Sequence, residues 1–355
     1  MSSKYQFIPD RETGLISEEA TKSYFSRLGW GIFTLGVASS LASAGISALV
    51  AIVFAPFLEN QIVLTLLQHI ITLIAIYGIA MPLFCKVVKP LPKVTPIKSK
   101  MSAGSFIGGI CVAFLLMSVG NYISNIVLTM IHSGLNTTTQ NPIDEAISPN
   151  DPWIVLLTTI FMVVLFPILE ELLFRKIICD RLLPLGEGYA IFVSATVFGL
   201  IHGNFYQFPY AFLLGALFAL IYVKTGKLIY TTVYHIIINF FGAVLTPWII
   251  GQVDLEGIFK LLESETLEMT PEIYTSLAET MFWLLIYDAI TLIPAIAGII
   301  LLVKARKKQA LKLESGILMP PKKGRFANIF CTVGVAAAIT YFVLTFILSI
   351  MPTNL

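Results

Sequence analysis

Nine runs of apolar residues decide what this chain can fold into. They lie at about residues 29–57, 61–85, 102–132, 153–175, 189–203, 207–223, 228–250, 280–303 and 327–351. A helix advances ~1.5 Å per residue, so about 20 apolar residues carry it across a bilayer. Stretches such as Ile154–Leu169 do not alternate apolar with polar residues, as a barrel strand would. The expected fold is therefore all-α: a polytopic membrane bundle of about nine spans with a cavity-bearing core. Composition agrees. Of 355 residues, 57% are hydrophobic and 12% charged, with mean hydropathy +0.85; soluble domains average about 45–50% and about 25%. Cys85, Cys111, Cys179 and Cys331 show no CxxC spacing and read as small buried hydrophobes. Residues 1–28 are polar, and the run from Gly29 is too long for a cleavable signal, so none is expected.

The charges between the runs orient the chain. Short cytoplasmic loops gather Lys and Arg. Five lysines fall in KVVKPLPKVTPIKSK after the second run, and eight basic residues in KARKKQALKLESGILMPPKKGR after the eighth. Arg175, Lys176 and Arg181 follow the fourth run, and Lys224 and Lys227 the sixth. Residues 133–152 and 202–209 hold no Lys or Arg, and 251–279 hold one lysine against seven acids. This alternation places the N-terminus in the cytoplasm and the C-terminus outside, in a protein of the cell membrane. The expected organisation is a cytoplasmic segment (1–28), three spans (29–132), a core (150–250), an external acidic segment (251–279) and two final spans (280–355). Leu255, Ile258, Phe259 and Leu262 fall on one face, so the external segment reads as an amphipathic surface helix. The small residues of GVASSLASAGISA in the first run are a packing signature. The net charge of +2 points to no partner class; membrane lipids are implied partners, and no nucleic acid is expected.

An ionisable group near the bilayer centre costs roughly 2.5–3.5 kcal/mol, which makes each one a functional candidate. The stretch FPILEELLFRK holds Glu170, Glu171 and Arg175. Glu171 and Arg175 are four apart and can pair. Glu170 is rotated away by about 100°, and Pro167 before it tends to open the helix. Taken alone, these charges could simply mark the end of a span. His202 ends the fifth run, and His235 and Asn239 share one face of the seventh. Either could be a satisfied packing group. Together they form a set of one carboxylate, two imidazoles and one amide that can do acid–base work on a peptide bond. His69, beside Gln68, reads as a packing hydrogen bond. Asn121 and Asn125 could line a groove, and Asp288 could pair across helices or face the cavity.

The motifs EExxxR (Glu170, Glu171, Arg175), FxxxH (Phe198, His202) and HxxxN (His235, Asn239), in this order, resemble those of the CAAX-protease and bacteriocin-processing family. That family of intramembrane endopeptidases includes the type II CAAX prenyl endopeptidases. The resemblance covers roughly residues 150–250. It implies a helical intramembrane protease opening toward the cytoplasmic leaflet, with a membrane protein or peptide, prenylated or bacteriocin-like, as substrate. It assigns Glu170 and His202 to activating water, and His235 and Asn239 to the oxyanion. Glu171, Arg175 and Phe198 become supporting residues. The family has also been described as metalloproteases, and Glu170, His202 and His235 are the set that could hold Zn²⁺. There is no HExxH and the three come from three spans, so no cofactor is expected. Two other readings compete: a non-catalytic immunity or scaffold protein binding a peptide or sensor kinase, and a transporter using the buried charges as a proton relay. One tension is geometric. His235 lies ~10 Å below the cytoplasmic end of its run and His202 ~20 Å deep in its own. They meet only if the fifth run tilts or begins outside the bilayer.

Overall fold

Ser17 starts the first helix. Its hydroxyl accepts from the Ala20 amide at 3.1 Å, and Glu18 and Glu19 fill the first turn, where the helix dipole favours acids. The helix therefore begins well ahead of the apolar run at Gly29. The computed structural model describes residues 7–10, 12–135, 151–254 and 270–351. Its helices are α1 (Glu18–Val53), α2 (Gln61–Val88), α3 (Ala103–Leu135), α4 (Pro152–Leu185), α5 (Glu187–Leu200), α6 (Phe208–Thr225), α7 (Leu228–Ile250), α8 (Pro271–Lys307), α9 (Arg325–Phe330) and α10 (Val333–Ser349). The described chain is helical without β-strands, as a polytopic bundle should be.

Seven of these helices are long and apolar enough to cross a membrane, rather than nine. The other two apolar runs form shorter helices. With 14 residues α5 reaches only ~21 Å against a hydrocarbon core of about 30 Å. The last run is broken at Cys331–Thr332, where Thr332 takes an extended conformation and α10 restarts. The face expected on the acidic segment, with Leu255, Ile258, Phe259 and Leu262, lies outside the described residues.

Prolines shape the long helices. Three wide π-helical stretches, Leu73–Ala80 in α2, Thr159–Leu165 in α4 and Phe241–Leu245 in α7, each run into a proline two residues on. These are Pro82, Pro167 and Pro247. Proline brings no N–H to the preceding turn and its ring crowds that turn's carbonyl, so the helix widens rather than breaks. A fourth stretch, Leu172–Cys179, has no proline to account for it.

Two apolar clusters hold the bundle. One joins α1, the end of α2, α10 and one side of α4, α5 and α6 through Tyr24, Leu35, Phe84, Phe174 and Phe342. The other joins α3, α6 and α7 through Phe114, Phe218 and Phe241, with Tyr287 of α8 against it. The three N-terminal spans thus divide: α1 and α2 cover one side of the core, and α3, with α8, covers the other. In the small-residue stretch, Gly36 and Ser40 pack on Tyr341, whereas Leu41 is exposed. Of the cysteines only Cys179 is fully buried and Cys331 is exposed, because the chain turns outward where α9 ends.

The basic linkers gather at one end. Val94 N donates to Asp180 O (2.7 Å) and Ser99 N to Thr225 O (2.8 Å), so the first linker crosses the ends of α4 and α6. Glu187 N donates to Glu314 O (3.0 Å) and Ile16 N to Met319 O (3.0 Å), which seats the second linker beside the start of α5 and the segment before α1. Glu187 also pairs with Lys224. The first residues of α5 therefore lie in the linker layer.

Gly29 and Gly334 bring α1 and α10 into contact: a Cβ at residue 334 would lie 1.9 Å from the Ser26 carbonyl oxygen. Gly334→Val should lower the thermal unfolding midpoint of the detergent-purified protein, at a cost of about 1–3 kcal/mol. Gly45 has nothing within 4 Å of its added Cβ, so Gly45→Ala should leave the midpoint unchanged or raised.

Candidate functional site

The turn Phe166–Glu171 of α4 lies between two wide stretches, and its sequence explains its neighbours. Pro167 offers no N–H to the carbonyls one turn back. One of these, Met162 O, instead accepts from Nδ2 of Asn239 on α7 at 2.8 Å. The amide thus ties α7 to α4 with one N–H and keeps a second.

Glu171 and Arg175 meet as their spacing predicts. Arg175 Nε donates to Glu171 Oε2 at 2.9 Å, and both side chains are fully buried. Burying two charges is costly unless the remaining donors and acceptors are filled. They are filled here. Arg175 Nη1 donates to Ser194 Oγ of α5 (2.7 Å), which donates on to Phe174 O (3.0 Å). His235 Nδ1 of α7 lies 3.2 Å from Glu171 Oε1. The guanidinium also rests 5.3 Å from the Phe198 ring centroid. This network fixes α4, α5 and α7 to one another.

Glu170 points elsewhere and is held loosely. Its Oε2 lies 3.5 Å from His235 Nε2, and Tyr77 OH of α2 lies 3.5 Å from its Oε1. Both are long for hydrogen bonds. Its side chain is 22% exposed, where that of Glu171 is 0%. Glu171 is the nearer carboxylate to His235, which leaves Glu170 free to hold another donor.

His202 stands on the turn after α5 rather than inside a span. Its Nδ1 lies 2.8 Å from Phe198 O. The following Gly203 has φ +69°, which a side chain rarely adopts, and lets the chain reverse toward α6. Asn204 secures the turn, donating to His202 O (2.7 Å) and accepting from Gln207 N (2.9 Å). Ser124 of α3 supports it from outside by donating to Tyr206 O (3.0 Å).

Phe198 is the shared wall. Its ring centroid lies 5.3 Å from that of His202 and 5.5 Å from that of His235. The depth mismatch between the two histidines is resolved because α5 begins in the linker layer. All three motifs therefore converge. Glu170, His202 and Asn239 are partly exposed, whereas Glu171, Arg175, His235 and Phe198 are buried.

Other polar residues are not brought here. His69 makes no packing hydrogen bond through Nε2. It stacks on Phe161 (centroids 5.0 Å) and buries that nitrogen unpaired, because the aromatic residues of α4 fill the space beside it. Asn121, Asn125 and Asp288 are exposed on α3 and α8. Tyr77 and Ser194 are the residues that sequence reasoning missed. A lone hydroxyl in the apolar run LIAIYGIA was the available signal for Tyr77; nothing marked Ser194.

Among the described residues no group of three His, Cys, Asp or Glu is arranged to hold a metal. His235 has both ring nitrogens facing carboxylates.

Residues 152–241 match the family model for the type II CAAX prenyl endopeptidase, Rce1-like. This stretch holds every residue of the three motifs. The membrane-embedded CAAX protease MroQ of Staphylococcus aureus (strain USA300) is 28% identical over 172 residues, or 45% of this chain and 60% of that protein. The chain thus spans about 60% of that relative's length. No solved structure matches. Helices α1, α2, α3, α8, α9 and α10 lie outside the matched segment.

Removing one partner of the buried pair should unfold this core far more than removing the loosely held acid. Arg175→Met is expected to cost about 3–5 kcal/mol, because Glu171 is left charged and unpaired. Glu170→Gln should shift the unfolding midpoint little. Thermal unfolding of both variants in detergent checks the contrast.

Proposed function

We propose that this protein is a membrane-embedded endopeptidase. It hydrolyses a peptide bond in a membrane-associated protein or peptide near the face that carries the basic linkers. The observation that carries this reading is the convergence of Glu170, His202 and His235 around Phe198, with Glu170, unlike Glu171, not committed to Arg175. The matched family and MroQ, itself described as a CAAX protease, support it.

The chemistry follows from which atoms are spoken for. Glu170 is the base that takes a proton from water. His202, whose Nδ1 is engaged by Phe198 O, keeps Nε2 to orient that water. The hydroxide attacks the carbonyl carbon, and charge develops on the carbonyl oxygen. His235 through its Nε2–H and Asn239 through its second N–H donate to that oxyanion, while Nδ1 of His235 faces Glu171. Glu170 then returns the proton to the departing amine as the C–N bond breaks. Glu171 and Arg175 keep His235 and α5 in place. Tyr77 orients Glu170. No metal is required in this scheme. The site lies ~10 Å below Leu228, at seven residues of helix rise. The positive-inside rule puts that end in the cytoplasm, with the N-terminus, and the protein in the cell membrane. Prenylated C-terminal peptides and bacteriocin-like peptides are the substrate classes in view.

Membranes holding wild-type protein or Glu170→Gln should differ in their peptides by mass spectrometry, with the cleavage products missing from the variant. Loss of the general base should slow cleavage by the purified protein roughly 10²–10⁴-fold. Tyr77→Phe should cost less than about tenfold, since its contact with Glu170 is long. Full proteolysis by purified Glu170→Gln would sink the mechanism. Cellular function retained by Glu170→Gln without cleavage would favour a peptide-binding scaffold instead.

A further inference from the structure

At the end where the linkers gather, α1 and the last turn of α2 leave an open groove of ≈ 370 Å³. Ser23, Ser26, Arg27 and Trp30 of α1 line it, with Val87 of α2 opposite. The spacing of the four is i, i+3, i+4, i+7, so they share one helical face. This stripe is unusual for what it leaves unused. Among the described residues, Ser23 makes no side-chain hydrogen bond and Arg27 has no acid or carbonyl partner. Ser26 Oγ accepts from Gly334 N at 3.4 Å, which leaves its own proton to donate. Elsewhere in the helices, Thr21, Thr34 and Thr72 return their hydroxyls to the carbonyl one turn back. The groove therefore presents two hydroxyl donors and a guanidinium with no acceptor to receive them.

Its surroundings narrow the occupant. No carboxylate lines the groove. Lys86 and Lys89 are exposed on either side of Val87. Donors and cations together call for an anion with several acceptor oxygens, and a guanidinium suits a phosphate in particular. The position adds a second requirement. Trp30 is 40% exposed and stands where the apolar run of α1 begins, the level at which indoles settle in a bilayer interface. An anion reaching this site from the membrane carries an apolar tail.

We propose that this groove binds the phosphodiester of an anionic phospholipid in the leaflet at the linker end. Arg27 takes the phosphate in a forked contact, Ser23 and Ser26 donate to its oxygens, and Trp30 and Val87 flank the glycerol and the start of the acyl chains. The site is separate from Glu170 and does not rest on the protease reading.

Trp30 provides the readout. In a full-length variant with Trp153, Trp248 and Trp283 replaced by Phe, Trp30 is the sole indole. This protein is placed in phosphatidylcholine vesicles containing phosphatidylglycerol or phosphatidylcholine brominated near the carboxyl end of the acyl chains. Brominated phosphatidylglycerol should quench Trp30 at a lower mole fraction than brominated phosphatidylcholine. Arg27→Gln should shrink that preference roughly fivefold, the effect of one basic residue at an anionic surface. Ser23→Ala with Ser26→Ala should shrink it further. Added inorganic phosphate should leave the quenching unchanged. Equal quenching by the two lipids, or a preference that survives Arg27→Gln, overturns the proposal. Displacement of the brominated lipid by inorganic phosphate overturns the choice of lipid as the source. If the triple Trp variant does not fold, native mass spectrometry of the unaltered chain and Arg27→Gln reads the same preference as retained phosphatidylglycerol.

Discussion

The buried pair of Glu171 and Arg175 is the constraint on which the core depends. In a low-dielectric interior neither charge is tolerable alone, and together they are tolerable only if every remaining polar atom is filled. Filling them requires Ser194 from α5 and His235 from α7. The pair therefore does more than neutralise itself. It demands that three helices come to one depth and one rotation. Phe198 reads out the result, with Arg175, His202 and His235 around a single ring. A bundle held only by apolar contacts between helices in lipid has little to choose between registers, because lipid tails are as apolar as Leu. The polar network supplies that choice.

A second device prepares the helices for it. The prolines at 82, 167 and 247 each follow a widened stretch. A widened turn shifts the residues after it around the axis and leaves carbonyls short of a donor. In soluble helices water can make up the shortage. In lipid another side chain must, and Asn239 does so for Met162. The helix that carries Glu170 is thus locked to the helix that carries His235 by the defect that gives Glu170 its room.

Much of the fold was legible because its signals are local. Apolar runs gave the helices, the basic linkers gave the common end, and the spacing of Glu171 and Arg175 gave their pairing. The three motifs named the residues that meet. What was not legible depends on packing between distant segments. Nothing in the run ending at His202 says that the helix stops at Leu200 and that the histidine stands on a turn set by Gly203 and Asn204. Nor does the apolar run of α5 reveal that its start is drawn into the linker layer by Glu314. His69 and Asp288 looked like candidates because charge in a span is costly wherever it lies. Only the fold shows that one sits among aromatic rings and the other is exposed.

The helices outside the matched segment also shape the site. Arg175 and His235 fix Glu171, but nothing within residues 152–241 other than His235 contacts the carboxylate of Glu170 among the described hydrogen bonds and ion pairs. Its second neighbour, Tyr77, comes from the widened stretch of α2, and that tyrosine is itself stacked on Phe166, one residue before Pro167. The same α4 proline that frees Glu170 thus lies beside the ring that positions the tyrosine. Substitution inside α2 can therefore change how Glu170 is held without touching any of the three motifs. A family resemblance confined to the motif segment carries no information about that setting, and the flanking helices are where relatives sharing these motifs are free to differ.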